Sequence, residues 1–338
     1  MIDIMLLIPI LLSFLITLFV IPFWIKKAKD IGLIWDDMNK SKSEKIAGSG
    51  GIIAVLGFTV GTLIFIAYRV FIVQKQTFLI ELMALLSVIL IASGIGLIDD
   101  LFGWRKGGLS IKSRVILLII AAIPLMAINA GKSLVAIPIL GKVDLGLLYP
   151  LIVIPIGIIG ATTTFNILAG FNGLEAGQGI ILLLGLGFLS FFTGSSWLAV
   201  IALIMAASLL AFLMYNFFPA KVFPGDALTY SVGALIAILS ILGNFEKIAL
   251  FFYIPYILET VLKLRGRLIK QSFGKPNQDG SLGLKYERIY SLNHLAILIM
   301  QRLNVKPTEK RAVLMIWAFQ IIIILLGFLI FREGIFGI

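Results

Sequence analysis

Three short stretches of the chain carry side chains that could do chemistry. GLIDDLFG, at 96–103, places Asp99 and Asp100 side by side at the end of a long apolar run. Adjacent carboxylates repel, so a cation or nearby basic groups such as Arg105, Lys106 and Lys112 must stabilise them. FNILAGFNGLEAGQG, at 165–179, interleaves Asn166, Asn172, Glu175 and Gln178 with glycines, Gly173 among them. Glycine allows backbone to approach a ligand closely and lets N–H groups form an anion nest. VFPGDALTYS, at 222–231, puts Asp226 at the head of another apolar run, as an N-cap or as a carboxylate ligand for a hard cation.

What metal could such residues hold? The chain has no cysteine and one histidine, His294. Thiolate sites and multi-histidine zinc sites are therefore excluded, and oxygen donors point to Mg²⁺, with Mn²⁺ as the alternative. His294 itself lies in an apolar stretch and reads as a packed residue. Lys112 and Arg114 open an apolar run and read as membrane anchors or as contacts to a diphosphate.

The elements that must position these residues are membrane helices. The chain of 338 residues is 60% hydrophobic and only 13% charged, with mean hydropathy +1.10. Soluble domains carry about 25% charged residues. Apolar runs lie near 4–25, 50–68, 77–98, 114–130, 147–167, 178–193, 197–217, 228–243, 246–263 and 311–331. At about 20 residues per span, they predict an all-α polytopic protein with about ten transmembrane helices. The whole chain, 1–338, then forms a single membrane domain. The first run lacks a basic leader and a cleavage site, so it reads as a span and not as a signal peptide.

Lysine and arginine set the sidedness. Of the 28 in the chain, 22 fall in loops that would share one face, including the long 264–310 loop. The positive-inside rule makes that face cytoplasmic and puts both termini outside. The net charge of +11 follows from the same rule and does not imply nucleic acid. Within the long loop, 284–303 reads as an amphipathic helix lying on the membrane. All three polar stretches fall at the cytoplasmic ends of spans, where distant segments converge. An ion pathway would instead place charges at mid-depth.

Taken with Asp37-Met38-Asn39-Lys40 in the first loop, the succession GLIDD, NILAGFNGLEAGQ and FPGD resembles the polyprenyl-phosphate N-acetylhexosamine-1-phosphate transferase family. It is most similar to the eukaryotic and archaeal branch that uses UDP-GlcNAc and dolichyl phosphate. The resemblance covers nearly the whole chain. It implies a Mg²⁺ site on Asn166 and Asp226, a diphosphate contact from Lys112 and a uracil contact from Asn172. It also implies an acidic pair, Asp99 and Asp100, near the reaction centre, and substrate contacts from Asn39, Lys40, Gly173 and Glu175. The implied partners are a UDP-sugar, a polyprenyl phosphate and the surrounding lipids, with oligomeric state left open, a homodimer included. The implied activity starts lipid-linked oligosaccharide assembly for N-glycosylation.

Two departures stand out. Ala47-Gly48 occupies the place of a proline-glutamate pair, and QSFGKPNQDG, at 271–280, replaces a basic motif, leaving Lys275 as the candidate for its role. A transporter or flippase is the alternative of another class, but it calls for broken helices with mid-depth polar groups. A CDP-alcohol phosphotransferase calls for a helix of spaced aspartates, which this sequence lacks.

Overall fold

The computed structural model describes residues 4–42, 44–137 and 141–337; the side chains of 104–106, 136, 137 and 142 lie outside the described residues, so the expected roles of Arg105 and Lys106 do too. The described chain is helical, with three two-stranded hairpins in its loops. Its main helices are α1 (Leu7–Asp30), α2 (Gly51–Ala67), α3 (Leu79–Lys106), α4 (Ile111–Ala127), α5 (Ile154–Ile167), α6 (Leu174–Phe192), α7 (Ser196–Asn216), α8 (Gly225–Gly243), the pair α9 (Glu246–Phe252) and α10 (Ile254–Arg265), and α12 (Glu309–Ile330).

Eight of these segments are long and apolar enough to cross a membrane, several with a short 3-10 or π extension. The other two expected spans are α4, at 17 residues, and the α9–α10 pair. That pair breaks at Tyr253, just before Pro255, whose missing N–H suits the start of α10.

Helix α8 is the axle of the bundle. Every residue from Ala227 to Ile241 is buried, and α2, α3, α5, α6, α7 and α9 pack around it. By contrast α1 buries only Pro9, Ser13, Thr17, Ile21 and Ala28 and leaves Phe19 and Phe23 exposed, as a lipid-facing helix should. Glycine lets the axle approach its neighbours. A Cβ at Gly96 of α3 would stand 2.4 Å from the Asp226 carbonyl, and one at Gly233 would stand 2.6 Å from Thr162 Cα on α5. Small residues at such crossings let backbones pack closely where apolar burial alone gives no preference.

The loops sort to two ends. At one end the α2–α3 turn joins the α6–α7 turn through stacked Phe78 and Trp197, and Tyr149 bonds Glu246. At the other lie the starts of α2, α4, α6 and α8, the ends of α3, α5 and α7, and the 266–308 segment. The three chemical stretches all fall there, as the parity of the spans predicts.

The long loop differs from expectation in one respect. Its helix, α11, runs only Leu292–Arg302. Residues 284–291 are not helical because Ser291 caps the helix, accepting the Asn293 N–H at 3.2 Å, while Glu259 of α10 accepts the Leu292 N–H at 2.6 Å.

Gly96→Ala tests the close crossing. The facing backbone carbonyl has little room to yield, so the variant should lose about 1–3 kcal/mol of stability, read as a lower unfolding temperature in detergent. An unchanged midpoint would show that α3 and α8 are not held at this distance.

Candidate active site

The loop end of the bundle opens into a cleft of about 690 Å³, lined by Asp37, Asp99, Asp100, Asn166, Asn172 and Asp226 together with Arg114 and Glu175. Sequence positions nearly 190 apart thus share one wall.

The neighbouring carboxylates do different jobs. Asp99 is fully engaged: its Oδ2 lies 2.6 Å from Arg114 Nε and accepts the Tyr230 hydroxyl at 3.1 Å. Its Oδ1 accepts the Leu109 N–H at 2.7 Å and Arg114 Nη2 at 3.2 Å. Asp100 is half engaged. Its Oδ1 accepts the Asp226 N–H at 2.8 Å, while its buried Oδ2 makes no hydrogen bond among the described residues. Gly225 makes room for it, since a Cβ there would stand 2.2 Å from that oxygen.

Asn166 closes the far side. Its Nδ2 donates to Asp226 Oδ1 at 2.6 Å and to Thr229 Oγ1 at 2.9 Å, which leaves its Oδ1 as the free acceptor. The donor set is all hard oxygen: Asn166 Oδ1, Asp226 and Asp100 Oδ2. No group of three or more carboxylate, imidazole or thiolate residues among the described residues is compact enough to cage a metal alone. The oxygen set itself is of the kind that could hold Mg²⁺, which binds through one or two carboxylates and fills its shell with water and substrate phosphate.

Lys112 does not reach the cleft. It is exposed, and Arg114 lines the cleft in its place. Ser110 fixes the helix start by accepting the Ser113 N–H at 3.2 Å, and side chains two apart on a helix do not share a face. Lys112 and Arg114 therefore cannot both turn inward. The guanidinium keeps donors beyond those taken by Asp99, a fork suited to phosphate.

Asn39, Lys40, Gly173 and Lys275, expected as substrate contacts, and the nearby Gln178 are not among the residues that line the cleft. Asn39 is buried behind the wall, donating to the Gly170 carbonyl at 2.6 Å and accepting the Gly274 N–H at 3.2 Å. Lys40 pairs with Glu309 Oε2 at 2.8 Å and lies 3.5 Å from Asp37 Oδ2. Gly173 opens α6 at φ +87°, a left-handed position that glycine takes freely. Lys275 is exposed in a short hairpin outside the cleft, and the lining residues from its loop are Gln271 and Phe273. Gln178 is spent on the Ile316 carbonyl of α12 at 3.2 Å.

Asn172 and Glu175 do line the cleft. Asn172 Nδ2 donates to Asp37 Oδ2 at 2.9 Å, its backbone N–H donates to Glu309 Oε1 at 2.7 Å, and Glu175 accepts the Gly170 N–H at 3.2 Å. Asp37, Lys40, Glu309 and Asn172 thereby close a buried ring of polar contacts. Sequence reasoning missed Glu309 and Asp37 as members. A carboxylate that opens an apolar span, two residues after Pro307, was the available signal.

His294 behaves as a packed residue. Its Nδ1 accepts the Tyr290 N–H at 3.4 Å and its Nε2 faces the Phe273 carbonyl at 3.1 Å. Burial lowers the pKa of its imidazole, with the Phe273 contact opposing, and the ring braces the wall segment.

With this geometry in hand, the relatives become informative. A Saccharolobus solfataricus protein, provisionally named a UDP-N-acetylglucosamine–dolichyl-phosphate N-acetylglucosaminephosphotransferase, is 35% identical over 318 residues, 94% of each chain. The chain belongs to the polyprenyl-phosphate N-acetylhexosamine-1-phosphate transferases. The description of glycosyl transferase family 4 matches residues 82–244, which include Asp99, Asp100, Asn166, Asn172 and Asp226. The Dictyostelium discoideum UDP-N-acetylglucosamine–dolichyl-phosphate N-acetylglucosaminephosphotransferase is 30% identical over 66% of this chain and 62% of its own. The Moorella thermoacetica phospho-N-acetylmuramoyl-pentapeptide-transferase is 29% identical over 82% of each.

Within these transferases the Ala47-Gly48 departure has a physical counterpart. A Cβ at Gly48 would stand 1.5 Å from the Trp35 ring. Trp35, which lines the cleft, fills the space that a longer side chain at position 48 would need.

The site makes a graded prediction. Asp100→Asn and Arg114→Ala should each lower turnover by about 100-fold, the scale of losing one preorganised charge in a water-poor site. Lys112→Ala should cost far less than Arg114→Ala in the same assay. The reverse order would place the phosphate contact on Lys112.

Proposed function

We propose that this enzyme transfers an N-acetylhexosamine 1-phosphate, with GlcNAc 1-phosphate as the favoured group, from a UDP-sugar to a polyprenyl phosphate of dolichyl type. UMP is released. The names of its relatives support the substrates. The observation that carries the reading is a set of side-chain oxygens on Asp100, Asp226 and Asn166, one of them unpaired, lining the same cleft as Arg114 at the end of a membrane bundle. The donor is water-soluble and the acceptor tail cannot leave the bilayer, so such a site must sit where both arrive.

The chemistry is phosphoryl transfer. An oxygen of the lipid phosphate attacks the donor phosphorus that bears the sugar. The bond from that phosphorus to the bridging oxygen breaks, and the bridging oxygen leaves with UMP. Such reactions need positioning and charge neutralisation more than covalent help. Asn166 and Asp226, with Asp100 beside them, would hold Mg²⁺, which when bound neutralises the diphosphate and the departing UMP. Arg114 donates to non-bridging phosphate oxygens, its plane fixed by Asp99. Asn172, held from behind by Asp37 and Glu309, is placed to read the nucleobase.

A general base is not required. A phosphate monoester has a second pKa of about 6 and is mostly dianionic at neutral pH. Asp99 is committed to Arg114 and Tyr230, so of the acidic pair Asp100 is the one with an oxygen to offer.

The cleft faces the cytoplasm in this reading, as the lysine and arginine distribution supports. The chain has no cysteine, so single introduced cysteines report on sidedness directly. Lys112→Cys should label from the cytoplasmic side with an impermeant maleimide and Gln76→Cys from the other. Labelling of both from one side would refute the arrangement.

The reaction is tested with purified enzyme in lipid nanodiscs. UMP should form only when UDP-GlcNAc, polyprenyl phosphate and Mg²⁺ are all present, and chelation should stop it. Release without the lipid phosphate, or none at all, would end the proposal; UDP-GalNAc run in parallel settles the sugar.

A further inference from the structure

Ser49 combines three properties found together nowhere else among the described residues. It is 1% exposed, its hydroxyl makes no well-formed hydrogen bond and only a weaker interaction with the Asp100 carboxylate, and its backbone sits at φ +52°. Of the non-glycine residues at positive φ, it alone lines the cleft. A left-handed conformation is unfavourable for an L-residue, and a buried hydroxyl without a well-formed hydrogen bond adds a further cost. Gly48 and Gly50 flank it, so glycine would be the undemanding choice at the very position that carries a side chain.

The conformation is imposed from both sides. The Gly48 N–H donates to the Leu33 carbonyl at 3.0 Å, and the Gly50 and Gly51 N–H groups donate to the Phe223 and Pro224 carbonyls at 2.9 Å each. This lacing ties the turn to the segment that presents Asp226. The point where a Gly225 Cβ would lie is 2.9 Å from Ser49 Cα and 2.2 Å from the unpartnered Asp100 Oδ2. A neutral donor therefore stands beside the free oxygen of the reactive carboxylate. Strain retained at a site, together with a buried donor that lacks a well-formed bond there, points to a ligand that meets it.

We propose that the Ser49 hydroxyl is a substrate-binding group that donates a hydrogen bond to a phosphate oxygen of the donor diphosphate or of the lipid phosphate. This rests on the phosphoryl-transfer reading. A phosphate oxygen is the acceptor that the reaction brings to Asp100, and a hydroxyl can serve it without adding to the charge that Arg114 already supplies.

Ser49→Gly and Ser49→Ala make the test sharp, because strain and function pull in opposite directions. Glycine removes the hydroxyl and the strain; alanine removes the hydroxyl and keeps the strain. Ser49→Gly should raise the unfolding midpoint by about 2–4 °C over wild type. In both variants kcat/KM for one substrate should fall by about tenfold or more, as expected for a lost hydrogen bond to a charged group. A rise in KM for the UDP-sugar assigns the bond to the donor, and a rise in KM for the polyprenyl phosphate assigns it to the acceptor. If both variants turn over within about twofold of wild type on both substrates, the proposal is wrong. A loss in Ser49→Ala that Ser49→Gly repairs also overturns it, since strain alone would then be responsible. Failure of the underlying reaction would be visible separately, as a wild-type enzyme that releases no UMP.

Discussion

The hydrogen bond from the Asp226 N–H to Asp100 Oδ1 is the contact on which the cleft depends. It joins the end of one span to the beginning of another that lies over a hundred residues later. It forms only because glycine stands on both sides: Gly96 lets the α8 backbone come close to α3, and Gly225 leaves space for the carboxylate. In a membrane interior, helices gain little from apolar burial against one another, so close backbone approach and buried hydrogen bonds decide which faces meet. The same contact orients α8 so that Asp226 turns toward Asn166 and Tyr230 toward Asp99. One interaction thus fixes the separation between the free oxygens on which the proposed chemistry rests.

A second layer of polar contacts holds the opposite wall. Asp37, Lys40, Asn172 and Glu309 come from the first loop, the glycine-rich loop and the last span, and none of their bonds lies within a single helix. Buried ion pairs contribute little net stability, but losing one partner leaves an uncompensated charge. Such a ring is better suited to fixing geometry than to stabilising the fold. Asn39, Asn293 and His294 extend the bracing to Phe273, so the cleft wall is rigid although it is built from loops.

Much of this was legible in the sequence. Apolar length and the lysine and arginine distribution marked the spans, and adjacent aspartates at the end of one span, with an aspartate at the head of another, marked the cleft. The glycine-rich stretch was visible as a ligand loop, and Asn172 and Glu175 do face the cleft. What did not transfer was direction. Whether Lys112 or Arg114 turns inward depends on where the helix starts, and Ser110 sets that through a single capping bond. Asn39 and Lys40 sit beside lining residues, yet they face away because partners on distant segments claim them. Glu309 carried a local mark, as a carboxylate opening an apolar run, but its partners on the first loop and the glycine-rich loop have no local pattern. The strained backbone at Ser49 is likewise set by lacing to residues 223 and 224, which nothing in its own neighbourhood announces.

The polar ring also has an implication for how the protein is made. Glu309 is synthesised after every other residue that lines or braces the cleft, and both the Asn172 backbone and the Lys40 ammonium wait for it. Earlier helices can enter the bilayer and pair, but the wall that carries Asn172 lacks this brace until α12 packs. The bracing of that wall therefore comes late, when α12 packs, whereas the Asp100–Asp226 contact needs nothing beyond α3 and α8.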